Sequence, residues 1–216
     1  MAIDRTKLAA RLDAERTTFR DARPASRAAA TEAAEHLIAG VPMTWMAKWA
    51  GGFPMFLREA RGSRITDIDG HTYIDFALGD TGAMAGHSPA PTIEAVQRQL
   101  TEVGGITAML PTADAAWVAA ELTRRFGVPH WSFALTATDA NRWALRLARL
   151  VTGRPMIACF AYSYRGTVDE TFAVRAEDGS TVARVGNVGP AVPPEQTTRA
   201  VEWNDLASVE AALAPG

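Results

Sequence analysis

The chain has 216 residues, 48% of them hydrophobic and 21% charged, with a formal net charge of −2. That composition supports one substantial core or two small ones, and the even spread of acids and arginines excludes nucleic acid and anionic membrane as natural partners, leaving a small metabolite. Cys159 is the only cysteine, which excludes a disulfide framework and a thiolate metal cluster and points to a cytoplasmic setting.

Residues 4–18 and 25–38 read as two helices, with Pro24 a break between them. The first segment is charged throughout and lacks the apolar run of a signal peptide, and no later stretch reaches the length of a spanning helix. Residues 41–54, VPMTWMAKWAGGFP, crowd Met43, Trp45, Met46 and Trp49 between two prolines. A solvated loop does not carry that much apolar surface, so the segment is expected to pack over something.

MFLRE from 55, SRITDI from 63 and TYIDF from 72 then read as three strands of a small antiparallel unit, with Asp69-Gly70 as the hairpin turn between the second and third. Asp67, Asp69 and Asp75 are expected to face solvent or to stabilise turns. A glycine-rich loop ending in Gly86-His87-Ser88-Pro89 leads into a helix, and another is predicted over 111–126, with Pro111 near its start and Gly127 past its end. The chain then reads as a strand at Trp131–Leu135, a loop at 136–138, a helix at 139–152 and a strand at Met156–Phe160, the β-α-β rhythm of a parallel sheet. Thr167–Phe172 is a possible helical start, and Asn204 or Asp205 caps a last helix. The expected division is an N-terminal helical and antiparallel segment over 1–88 and a partial α/β domain over 89–216.

Chemistry concentrates at Leu135-Thr136-Ala137-Thr138-Asp139-Ala140-Asn141, where a strand end meets a helix start. The first amides of a helix have no intrahelical acceptor and its N-terminus is electropositive, so a phosphate fits there. Ordinary capping by Thr136 or Thr138 explains the same residues equally well. Tyr164, at the end of the next strand, could present its ring to a planar ligand, and the pattern fits one of Tyr162 and Tyr164 being mere packing equally well. Arg165 could serve a phosphate or carboxylate, or form a surface salt bridge. His36, His71, His87 and His130 lack the short spacing of a metal site.

The order of these features resembles the class III (fold type I) pyridoxal-phosphate aminotransferases, the family of omega-amino-acid transaminases and glutamate-1-semialdehyde aminomutase. The resemblance is carried by Arg61 through Asp75, Gly86-His87, Phe133 through Arg149, and Tyr164 with Gly166, within residues 38–216. It implies an α/β fold type I architecture, here a partial large domain with a small helix and antiparallel-strand segment, and pyridoxal 5'-phosphate as cofactor. The Thr136 side chain and the Ala137 and Thr138 amides fall at the phosphate, and Tyr164 at the aromatic that stacks on the ring. Trp45 falls where some beta-amino-acid enzymes hold an arginine, so Trp45 and Trp49 become an apolar substrate-side lid or, alternatively, a core or dimer contact. Ala137 replaces the family glycine, Leu135 a frequent asparagine and Arg165 the family histidine.

The same resemblance sets the Schiff-base lysine and the aspartate of the pyridine nitrogen beyond residue 216. Lys7 and Lys48 are the only lysines present, and Lys48 would need a different geometry to replace the missing one. The reaction implied is transfer of an amino group between an amino substrate and a 2-oxo acid, in a dimeric assembly with a C-terminal-half polypeptide or the remainder of the gene product. A 2,1-aminomutase and a non-catalytic interaction protein are the alternatives.

Overall fold

The computed structural model describes residues 3–107 and 109–214. They fall into two compact units, Met1–Leu110 and Pro111–Gly216. Among the described residues no helix is long and apolar enough to cross a membrane.

In the N-terminal unit, Asp4 starts helix α1 (Arg5–Asp21), its carboxylate accepting from the Thr6 and Lys7 amides at 3.1 and 3.0 Å. Pro24 opens α2 (Pro24–Ala33), where its fixed φ suits the first helical position. This helix ends at Ala33 instead of reaching residue 38. Ala39 and Gly40 take left-handed backbone (φ 58° and 70°), which a right-handed helix cannot contain, and Ile38–Gly40 form a single 3-10 turn. Thr44–Ala47 make another such turn, on which Trp45 and nearby Trp49 remain 60% and 40% exposed, outside the core of their unit.

The antiparallel unit forms as the pattern predicts, in the order β1 (Leu57–Arg61), β2 (Arg64–Asp67) and β3 (Thr72–Ile74). Arg61 pairs with Arg64 and Thr66 with Thr72. Gly70, at φ 92°, supplies the left-handed residue that the β2–β3 turn requires. The solvent-facing alternative for the hairpin acids is overturned, because each has acceptor work inside the unit. Asp67 is buried and accepts from the Tyr73 hydroxyl and the His71 amide, both at 2.8 Å, with Arg23 Nε 3.7 Å away. Burial raises its carboxyl, but these hydrogen bonds outweigh burial and hold it below the ordinary range. Asp75 accepts from the His87 ring at 2.6 Å. The unit continues into α3 (Ala90–Arg98) and a π turn over Gln99–Val103.

The C-terminal unit begins with α4 (Ala113–Phe126), which ends on left-handed Gly127, followed by α5 (Ala137–Thr152), which ends on left-handed Gly153. Between them Trp131–Leu135 form no strand. A strand exists only where its main chain finds a ladder partner, and none of the described residues supplies one to this segment. The parallel pair is instead β4 (Ile157–Phe160) with β7 (Thr198–Val201), in register Ile157↔Thr198 to Phe160↔Val201. The hairpin of β5 (Ala173–Arg175) and β6 (Thr181–Ala183) lies between them in sequence. Thr167–Phe172 reduces to one 3-10 turn, Asp169–Thr171, because Ala173 already belongs to β5. Asp205 caps the final helix α6 (Leu206–Leu213) through the Ser208 amide.

The core of this unit is small: Cys159, Ala161, Val168, Ala173, Ala200 and Val201, with Thr171 and Thr198 among them. Neither α4 nor α5 buries a single residue, and Trp117, Phe126, Trp143, Leu147, Leu150 and Val151 lie 57–83% exposed. The accessible surface is 16626 Å². Two separate globular units of half this mass would expose about 11,600 Å² together, so each unit leaves more surface unburied than a compact domain of its size.

Candidate functional site

Helix α5 presents the chemistry that the sequence concentrates at its start. Thr136, in extended backbone, is the N-cap: its Oγ1 accepts from the Asp139 amide at 3.1 Å and donates to Asp139 Oδ2 at 2.8 Å. The capping role of Thr136 is therefore filled. It serves a phosphate only by turning its hydroxyl proton from the Asp139 carboxylate to the incoming anion. The Ala137 and Thr138 amides have no hydrogen-bond partner among the described residues, and they sit at the positive end of a 16-residue helix. Ala137 is not left-handed, so the alanine that replaces the family glycine presents its N–H without strain.

The second wall of the site is the turn that follows β4. Trp203 fixes the strand end, stacking on Phe160 with ring centroids 4.6 Å apart and donating from Nε1 to the Ala161 carbonyl at 3.0 Å. Beyond it the chain returns to α5. The Thr167 amide donates to Thr138 Oγ1 at 2.8 Å, and Asn141 Nδ2 donates to the Arg165 carbonyl at 3.1 Å. Gly166, at φ 72°, passes so close that a Cβ there would stand 2.5 Å from the Thr138 nitrogen, so only glycine fits.

Of the two tyrosines, Tyr162 takes a left-handed backbone and has the Arg184 guanidinium 5.7 Å from its ring centre. Tyr164 is 75% exposed, and no aromatic or cationic group among the described residues covers its ring. Arg165 forms no surface salt bridge among the described residues. It is half-buried, with Nη1 on Ser163 and 3.5 Å from Cys159 Sγ, because the strand-end turn folds the guanidinium back onto β4. Residues missed in the sequence are Asn141 and Thr167 as a grip on this turn, and the Arg149–Glu170 pair at 2.8 Å further along the helix. The available signal was the i, i+3 spacing of Thr138 and Asn141, which sets both on one helix face. Lys7 and Lys48 lie in the N-terminal unit, Lys48 exposed.

The sequence profile described as aminotransferase class-III matches residues 45–210. The chain belongs to the class-III aminotransferase family. Among relatives of this family, the glutamate-1-semialdehyde 2,1-aminomutase of Deinococcus deserti is 36% identical over 175 residues, 77% of this chain and 39% of that one. The crystal structure of a glutamate-1-semialdehyde aminomutase from Pseudomonas aeruginosa PAO1 superposes with a TM-score of 0.90 at 44% identity, covering 99% of this chain and 47% of that one. The same values hold for a variant of that enzyme in complex with PMP. An omega-transaminase from Sphaerobacter thermophilus follows at a TM-score of 0.74 and 30% identity, covering 88% of this chain and 44% of that one. The chain thus spans about half the length, or less, of these relatives. The expected fold type I architecture holds, as a partial α/β large domain with its N-terminal helix and hairpin segment.

Pyridoxal phosphate is the cofactor of this class-III family, and the residues present fit its phosphate end. Two amides without a hydrogen-bond partner among the described residues, a hydroxyl and a positive helix terminus form a donor set suited to an anion.

Proposed function

We propose that this chain is the phosphate-anchoring half of a pyridoxal-phosphate enzyme that transfers an amino group between an amino substrate and a 2-oxo acid. The observation that carries this reading is the pair of amides at the start of α5, Ala137 and Thr138, that lack a hydrogen-bond partner among the described residues, beside the Gly166 turn. On this reading Ala137 N–H and Thr138 N–H bind phosphate oxygens, and Thr136 joins them by exchanging the Asp139 carboxylate for the phosphate. Tyr164 covers one face of the ring and excludes water from it. Trp45 and Trp49 are assigned to the substrate side as an apolar lid.

When bound, pyridoxal phosphate supplies the electron sink for cleavage at the amino-bearing carbon. The family resemblance implies that the covalent lysine and the acid that keeps the pyridine nitrogen protonated come from polypeptide outside these 216 residues, and neither Lys7 nor Lys48 lies in the unit that holds the phosphate site. The working assembly is a cytoplasmic dimer of complete units. A second reading, a 2,1-aminomutase moving the amino group within one substrate, is favoured by the 44% identity to an aminomutase against 30% to a transaminase.

The test is the mass of the native assembly under nondenaturing conditions, with its visible spectrum before and after borohydride. A complex containing a second polypeptide that carries reductively trapped cofactor is the expected result. A lone chain or homodimer with no visible band would sink the catalytic reading and leave an interaction protein. Product formed from a single amino substrate without added 2-oxo acid identifies the mutase.

A further inference from the structure

We infer that Asn141 is a positioning residue which, with Thr138, clamps the Tyr164–Arg165–Gly166 turn to the first turns of α5 and so sets the spacing between ring and phosphate. This deepens the proposed function and rests on it. The backbone of residues 164–167 makes no backbone–backbone hydrogen bond among the described residues. It is held instead by two side chains of one helix: Asn141 Nδ2 on the Arg165 carbonyl at 3.1 Å, and Thr138 Oγ1 receiving the Thr167 amide at 2.8 Å. Between these two grips lies Gly166, pressed against the Thr138 backbone with no room for a Cβ. Thr138 thus belongs to both parts of the site, its amide without a hydrogen-bond partner among the described residues and its hydroxyl holding the Tyr164 turn. The Asn141 side chain hydrogen-bonds the Arg165 carbonyl and none of the three phosphate donors. It acts one turn away, through the peptide that follows Tyr164. A ring stacked at the wrong height or tilt loses its contact, so fixing the turn fixes the stacking.

The experiment uses the native assembly and pyridoxal phosphate as the probe, reading its dissociation constant and the induced circular dichroism of its visible band, which reports ring orientation. Asn141→Ala is expected to weaken binding about fivefold, the effect of one lost hydrogen bond, and to diminish the dichroic band. Asn141→Asp keeps the volume but loses the donor, and is expected to match it. In a Tyr164→Leu background the Asn141 substitution is expected to add less than about twofold, since it then has no ring to position. Additive effects, or an unchanged constant and band in both Asn141 variants, would overturn the clamp alone. Failure of the unsubstituted assembly to bind the cofactor would overturn the clamp and the proposed function together.

Discussion

Two helices of this chain begin with the same electrostatic offer and are answered differently. At the start of α2 the Ala25 and Ser26 amides donate to the Asp69 carboxylate at 2.7 and 2.9 Å, and the Ser26 hydroxyl adds a third bond at 2.6 Å. At the start of α5 the Ala137 and Thr138 amides are unanswered among the described residues. Both termini are electropositive and both have a carboxylate nearby, but Asp69 arrives from the β2–β3 turn, which points it at the helix axis, whereas Asp139 is within α5 and accepts from Thr136. The difference lies in which donors the carboxylate takes: Asp69 takes the helix amides, and Asp139 takes the Thr136 hydroxyl.

Removing the internal anion breaks the contrast most severely. Asp69→Ala is expected to cost about 2 kcal/mol in urea unfolding, because Ser26 is fully buried and would be left with unmet donors. Added inorganic phosphate is expected to restore part of that loss at α2.

Acid should act in the same direction over a narrower range. Burial, the largest influence on Asp69, raises its carboxyl, yet the Ser26 and Ala25 hydrogen bonds outweigh it and hold the group below its ordinary 3.8. Glu170 is likewise held below its ordinary 4.5, burial being outweighed chiefly by Arg149. A depressed carboxyl stabilises the fold above its unfolded value and ceases to do so as pH falls through the folded one. Chemical-denaturation midpoints should therefore be flat above about pH 5 and fall progressively below about pH 4, and an Asp69→Asn variant should show a shallower fall.

At α5 a smaller change is expected from Thr136→Ala, about 1 kcal/mol for the lost cap, accompanied by weaker cofactor binding. If unfolding midpoints shift while cofactor affinity does not, Thr136 is a cap and nothing more. The smallest effect belongs to Ala137→Gly, which introduces the glycine that the family resemblance implies at this position. It should leave cofactor affinity within about twofold and lower helix stability by less than about 1 kcal/mol, since Ala137 already has helical backbone.

The same contrast explains what the sequence could reveal. The Asp69-Gly70 turn, the Gly127 stop and the Thr136 cap are decided within a few residues, and each forms as its pattern predicts. Trp131–Leu135 has strand composition but no strand, because pairing depends on a partner that composition does not name. The buried Asp67 was illegible for a related reason, as its Arg23 neighbour lies across a helix boundary far away in sequence. At the site, Thr136 to Thr138 could be read from a local run, whereas the Asn141 contact spans 24 residues and appears only once β4 has returned the chain to α5.

The bare faces of α4 and α5 also decide how the molecule must be handled. Trp143 and Leu147 line an open trough of about 660 Å³ beside Phe133 and Leu135, and Leu150 and Val151 extend the apolar face. An apolar surface of that extent seeks any cover available, including another copy of itself. Protein concentration, more than temperature, should set how long this chain stays dispersed when purified by itself, and light scattering across a dilution series is the practical gauge of its quality.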